Sequence, residues 1–182
     1  QRVLSNVFGS RNVVAPHNEN LSGSFTGWAK HCQIVIINEL MQVDKKDFNN
    51  KIKPFITEPE VEVREMYRAP YTIQNCMNFI AFSNHDNAIY IDKDDRRWFI
   101  VNSPAVKRDP AYYTNFIKCC DERSGEVLHF LQRRDISAFR PGAEPPMTGA
   151  KKDMIEYSTS DLEMWIKEGM ESEAAPFDSD LV

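Results

Sequence analysis

Residues 34–37 are Ile-Val-Ile-Ile, and the run stops abruptly at Asn38 and Glu39. Four consecutive apolar β-formers are too few to cross a membrane and too continuous for a half-exposed strand. The pattern fits a parallel strand of an α/β sheet, covered on both faces. A second run of the same form, Asn-Phe-Ile-Ala-Phe-Ser-Asn-His at residues 78–85, ends in Asn84 and His85. Ligands of such sheets bind beyond the carboxyl ends of the strands. Asn38, Glu39, Asn84 and His85 therefore mark the expected site.

An acid closing a hydrophobic strand is how phosphate-handling ATPases present a carboxylate to magnesium or to the attacking water. Taken alone, a strand ending in Asn-Glu reads as a solvated loop start. The second strand changes that reading. If residues 79–82 lie beside 34–37, the two ends stand about 5 Å apart, and Asn84 can orient the water or contact a γ-phosphate near Glu39. The alternative for Asn84 is an Asx-type turn. Arg96 and Arg97 follow after a short loop. Adjacent side chains on extended backbone face opposite ways, so one arginine can project while the other braces the fold. The guanidinium's fixed fork of donors suits phosphate oxygens. The other reading of the pair is surface ion pairing with Asp92, Asp94 and Asp95.

In their order and spacing these segments resemble the superfamily 3 helicases, in particular the phage, plasmid and poxvirus-type primase-helicases of the AAA+ ATPase class. Residues 34–39 look like the Walker B strand, and residues 78–85 look like motif C with Asn84 as sensor. Residues 95–99, Asp-Arg-Arg-Trp-Phe, look like the arginine-finger segment. Residues 51–57 with Arg64 look like the B-prime region, which in that family faces DNA. The resemblance implies an AAA+-like, mainly parallel α/β sheet with flanking helices, followed by a small helical subdomain. It implies an ATP-driven replicative DNA helicase using ATP and Mg2+, with Glu39, Asn84, Arg96 and Arg97 catalytic. Asn38, Glu39 and Asn84 would hold the nucleotide, and Glu39 would hold magnesium directly or through water. Lys51, Lys53 and Arg64 would meet DNA. The partners implied are single-stranded and forked DNA, further copies of the chain in a ring expected to be hexameric, and a fused or associated primase. The implied location is the cytoplasm, that of the host for a viral protein.

Two departures from the family pattern stand out. No Gly-Lys pair occurs in the chain, so the phosphate-binding loop with its Gly-Lys-Ser/Thr ending is missing from these residues. Asn38 occupies the position often held by a second acid, which leaves Glu39 the one carboxylate at that strand end. A rival reading is a non-catalytic AAA+-like module serving assembly or DNA binding. A metal-dependent nuclease would need paired carboxylates, and Asp44, Asp47, Asp92 and Asp95 show no such pairing.

At 182 residues and 42% hydrophobic content the chain can bury one core and a small appended subdomain. The net charge of −5 argues against a simple DNA-coating protein, although a local basic patch can act inside an acidic one. The cysteines, at 32, 76, 119 and 120, lack any Cys-x-x-Cys spacing, so reduced thiols are expected rather than metal ligation. No signal peptide or membrane-length apolar stretch is present. Residues 2–9 read as the tail of an amphipathic helix ended by Gly9. Such a helix follows a phosphate-binding loop, so that loop is expected before Gln1.

Residues 1–105 are expected to form a partial ATPase core, 106–170 a helical subdomain and 171–182 an acidic, frayed tail. Within the core, residues 12–15 suit a short strand. Residues 24–31 suit a helix capped by Ser22 or Ser24, with Phe25 and Trp28 inward. Residues 51–57 and 61–66 read as two strands around a loop, a hairpin whose lysines would meet the phosphate backbone. Tyr67, Arg68 and Tyr71 are candidates for base stacking, although Pro70 argues for a connector. Residues 89–91 read as a short strand or a turn arm, and residues 98–101 as a buried strand that anchors the arginines. Further on, Asp109 caps a helix with Pro110 in its first turn and Tyr113, Phe116, Ile117 and Cys120 on one face. Ser124 can cap another helix with Val127, Leu128 and Leu131, among which His129 packs. Residues 139–147 read as a linker, and 148–170 as a helix burying Met154, Ile155, Leu162, Trp165 and Ile166.

Overall fold

The structure, a computed structural model, describes residues 1–40, 45–104, 106–159, 165, 166 and 170. In chain order its elements are α1 (Arg2–Phe8), β1 (Val13–Val14), α2 (Asn18–Ser22), β2 (Ile34–Ile37), α3 (Lys45–Thr57), β3 (Glu60–Val63) and β4 (Tyr71–Gln74). Then come β5 (Asn78–Ala81), α4 (Pro110–Glu122), α5 (Ser124–Arg133) and α6 (Gly149–Ser158). The fold is α/β. β2 is the centre of a parallel three-stranded sheet of order β1-β2-β5, and all four of its residues are buried. Strand alternation sends Ile34 and Ile36 to one face, where Val13 and Leu4 of α1 meet them. Val35 goes to the other face with Cys32, Val61 and Val63. Ile37, on that same face, joins Leu40, Phe48, Ile52, Trp98 and Met154. An apolar run without alternation is what a strand covered on both sides requires.

The segment containing Lys51 and Lys53 is helix α3, not the first strand of a hairpin. Phe48 and Ile52 are one turn apart and buried, and this four-residue spacing outweighs Pro54. Pro54 lies near the helix end, where it removes only one backbone bond. The Asn75 side chain then donates to the carbonyls of Phe55 at 2.8 Å and Glu58 at 2.7 Å, satisfying exposed acceptors of that end. The hairpin lies further along the chain: β3 and β4 pair antiparallel, with Glu60 opposite Gln74 and Val63 opposite Tyr71.

Other expectations also change. Residues 24–31 form only a 3-10 turn at Gly27–Ala29, and Phe25 is exposed. Trp28 does pack inward, 5.1 Å from the Phe55 ring. Residues 89–91 take the turn-arm alternative and 98–101 do not form a strand, because among the described residues no strand runs beside either. Ile89, Ile91 and Trp98 are buried while Phe99 and Val101 face solvent. The Asp109 carboxylate does cap α4, accepting from the Tyr112 N–H, and Pro110 occupies the first turn. α4 meets α1 through Arg2, whose guanidinium binds Asp121 by two bonds of 2.6 and 2.5 Å. Cys120 is buried there, whereas Tyr113, Phe116 and Ile117 are exposed. Helical spacing predicts which residues share a face, but not whether another element covers it. Val127, Leu131 and His129 on α5 are likewise exposed, and Leu128 is half-buried. α5 has Arg123 rather than Ser124 at its N-cap.

Residues 139–147 form the expected irregular connector. α6 then returns to the cluster around Phe48 and Ile52 through Met154 and Ile155. Trp165 and Ile166 are exposed rather than buried. Asp44, Leu162 and residues 171–182 lie outside the described residues. No helix among the described residues is long and apolar enough to cross a membrane.

Cysteine reactivity gives a direct check on this packing. Cys32 is buried behind β2, and burial pushes its thiol up to about 11. In native protein at pH 8, a disulfide reagent is expected to label exposed Cys76 and Cys119 quickly and Cys32 only on unfolding. Since folding raises this pKa, the stability from keeping the thiol protonated is full below about 9 and is lost as pH rises toward 11. Rapid labelling of Cys32 at pH 8 would contradict the packing.

Candidate functional site

β2 and β5 end level with one another, with Ile37 opposite Ala81. The two chains remain tied beyond the strands. The Phe82 N–H donates to the Ile37 carbonyl at 2.9 Å, and the Leu40 N–H donates to the Phe82 carbonyl at 2.8 Å. The Ser83 hydroxyl donates to the Leu40 carbonyl, also at 2.8 Å. Glu39 lies inside this laced segment and Asn84 directly follows it. Asn38, Glu39, Asn84 and His85 are all exposed. Among the described residues no hydrogen bond or ion pair occupies the side chains of Asn38, Glu39 or Asn84. Glu39 has φ of 52°, the left-handed region that a glutamate rarely adopts. The lacing around it holds that conformation, the kind of local strain that clusters at functional sites.

The double arginine resolves into two different environments. The Asp95 side chain is fully buried, and its carboxylate accepts from the backbone N–H groups of Arg97 at 3.0 Å and Trp98 at 2.9 Å. Arg97 also pairs with it through Nη1 at 3.4 Å. Arg97 thus does form an ion pair with Asp95, but with a buried carboxylate rather than at the surface. Arg96 is exposed and has no ion-pair partner among the described residues. Both arginines line a cleft of about 460 Å³ together with Lys53, Asp92 and Glu144.

Lys51 and Lys53 stand apart from the hairpin, and both are engaged. Lys51 binds Asp47 at 2.8 Å and the Ser22 carbonyl at 3.0 Å. Lys53 binds Asp92 at 3.2 Å, which ties α3 to the loop leading to the arginines. Arg64 opens the loop that joins β3 to β4, paired with Glu62 at 2.6 Å. The base of that loop is clamped. Thr26 Oγ1 accepts from the Arg64 N–H at 2.9 Å, and Glu65 accepts from Arg68 at 3.2 Å and from the Tyr71 hydroxyl at 3.1 Å. At its tip Met66 and Tyr67 reach solvent, Tyr67 being 98% exposed with φ of 61°. A large aromatic ring held outward at a strained position gains nothing from core packing.

The strand ends and the arginine pair were signalled by motif order. Asp95 lay within the finger segment, but its burial carried no signal, and neither did Lys151 of α6, Asn75 or Glu65, because each acts through partners distant in sequence or through loop geometry.

Residues 1–97 match the sequence model of a family of unknown function, DUF5906. The chain belongs to that family. The DUF5906 match runs from α1 through Arg96 and Arg97 and so includes the strand ends, the hairpin and the arginine segment, whereas α4, α5 and α6 lie beyond it. No curated protein matches the chain. Among solved structures, the apo C-terminal region of NrS-1 (residues 305–718) is similar with a TM-score of 0.72 and 19% identity, over 100% of this chain and 46% of that one. An A-form apo structure of the same region gives 0.69 and 18%, over 100% of this chain and 48% of that one. Another A-form structure, of residues 305–718, gives 0.72 and 22%, over 100% and 46%. This DUF5906 chain therefore spans a little under half the length of those structures, and what it shares with them is the fold.

Proposed function

We propose that this chain is the rear part of the ATPase core of an ATP-driven, superfamily 3-type DNA helicase. The phosphate-binding loop would be supplied by polypeptide outside these 182 residues. The observation that carries the reading is the level, parallel pairing of β2 with β5, which brings Glu39 and Asn84 to adjoining strand ends. Both side chains are exposed and, among the described residues, uncommitted, as groups that address a bound nucleotide must be. Glu39 accepts a hydrogen bond from the attacking water and polarises it, and Asn84 contacts the γ-phosphate. The oxygen donors of Asn38 and Glu39 suit a hydrated Mg2+, which when bound neutralises charge on the β- and γ-phosphate oxygens. Arg96 acts on the ATP of a neighbouring copy, so the working form is a ring, a hexamer on the family pattern, with a primase fused or associated.

In this reading single-stranded DNA meets the loop between β3 and β4. Tyr67 offers a ring for stacking and Arg64 a cation for phosphate, while Lys51 and Lys53 hold α3 in place. Replacing Tyr67 by alanine is expected to remove about 1–3 kcal/mol of single-strand affinity. Fluorescence anisotropy with an oligothymidine reads this as roughly a 5- to 150-fold rise in Kd. Unchanged binding would take the hairpin out of the DNA path.

The missing Gly-Lys pair favours a second reading, a non-catalytic assembly or DNA-binding module. The two separate on the intact protein, through binding of a fluorescent ATP analogue and ATP-dependent unwinding of a forked duplex. The helicase reading expects both. Absence of nucleotide binding in the intact protein would establish the module.

A further inference from the structure

Lys151 is the least expected residue in the molecule: a lysine of α6 that is only 1% exposed. Its ammonium donates to the Asp95 backbone carbonyl at 2.6 Å and lies 3.4 Å from Asp95 Oδ1. One buried carboxylate thus joins Lys151, the Arg97 guanidinium and two backbone N–H groups. α6 holds the same segment at two further points. The Thr148 hydroxyl donates to the Ile100 carbonyl at 2.6 Å, and the Ser158 hydroxyl accepts from the Ile91 N–H at 3.0 Å. Residues 91, 95 and 100 are therefore all bound to one helix, and Arg96 sits among them, facing outward. Burying an ammonium is costly unless its charge is answered, and an apolar residue would fill the same space without that cost. What the ammonium adds is a directional hold on Asp95, and through Asp95 on the backbone either side of Arg96.

We propose that Lys151 is a positioning residue for Arg96: it sets the arginine through Asp95 and does not itself reach the nucleotide. This rests on the finger reading given above. An arginine that acts across an interface must be held in place before reaction to stabilise transition-state charge. A displacement of about 1 Å can cost roughly 100-fold in rate.

The test uses the intact protein with the variants K151M and D95N/K151M, the second of which removes both fully buried charges and leaves only the part-exposed Arg97 without its partner. Folding is followed by circular dichroism melting. For variants that melt cooperatively, kcat for ATP is expected to fall about 10- to 100-fold, while KM stays within about twofold because each subunit's own strand ends are untouched. Mixing supplies the readout that simple loss of structure cannot move. Subunits carrying E39Q keep a correctly held Arg96, so adding them to K151M subunits is expected to restore hydrolysis at K151M sites. R96A mixed with E39Q is the control for the finger itself. If R96A is rescued by E39Q and neither Lys151 variant is, or if both variants keep wild-type kcat, the positioning role is overturned while the finger stands. If R96A alone hydrolyses ATP like wild type, the finger reading fails first.

Discussion

Replacing Arg96 by alanine is expected to lower ATP turnover by about 10³-fold or more while ATP binding is retained, the loss typical of removing an arginine finger. The physical reason is where charge develops. A finger meets the transferring phosphoryl group only at the transition state, so its removal leaves ground-state binding largely intact. Arg96 suits that part because it is exposed and makes no ion pair among the described residues. Arg97 is held by the buried Asp95 carboxylate. Arg97→Ala should show mainly as a lower melting temperature with a smaller drop in turnover. Steady-state hydrolysis together with titration of a fluorescent ATP analogue separates the two variants. If Arg97→Ala abolished turnover and Arg96→Ala did not, the roles assigned to the pair would be exchanged.

Replacing Phe48 by alanine is expected to have the largest effect on stability, about 3–5 kcal/mol. For a chain of this size that corresponds to a fall of roughly 10 °C in Tm. Phe48 is 2% exposed and packs where β2, α3, the loop carrying Ile91 and Trp98, and Met154 of α6 converge. Its loss leaves a cavity in the cluster that supports both the Glu39 turn and the arginine segment. Differential scanning calorimetry reads the change directly. A cost below about 1 kcal/mol would mean that the site is held together elsewhere.

Some of this architecture is legible without coordinates. Residues 34–37 and 79–82 carry only apolar side chains, so two parallel strands are the natural reading, and their ends mark Glu39 and Asn84. Asp109 before Pro110 signalled the start of α4, and Gly9 the end of α1. α3 is not legible: residues 51–57 read as the first strand of a hairpin, while the packing of Phe48 and Ile52 in one core cluster enforces a helix. The shared face of Tyr113, Phe116 and Ile117 is legible, but not its exposure, since helical spacing says nothing about what lies opposite.

The amino-acid sequence by itself determined that residues 34–37 become a buried parallel strand closed by polar residues, whereas the fold set the half-buried β5 beside it with the two ends level. Contiguous β-branched residues leave the backbone few other ways to escape water. Which arginine faces outward was decided only in three dimensions. It depends on Asp95 meeting a lysine 56 residues away on α6, and a charge can be held inside a protein only by partners that the folded chain has already brought to it.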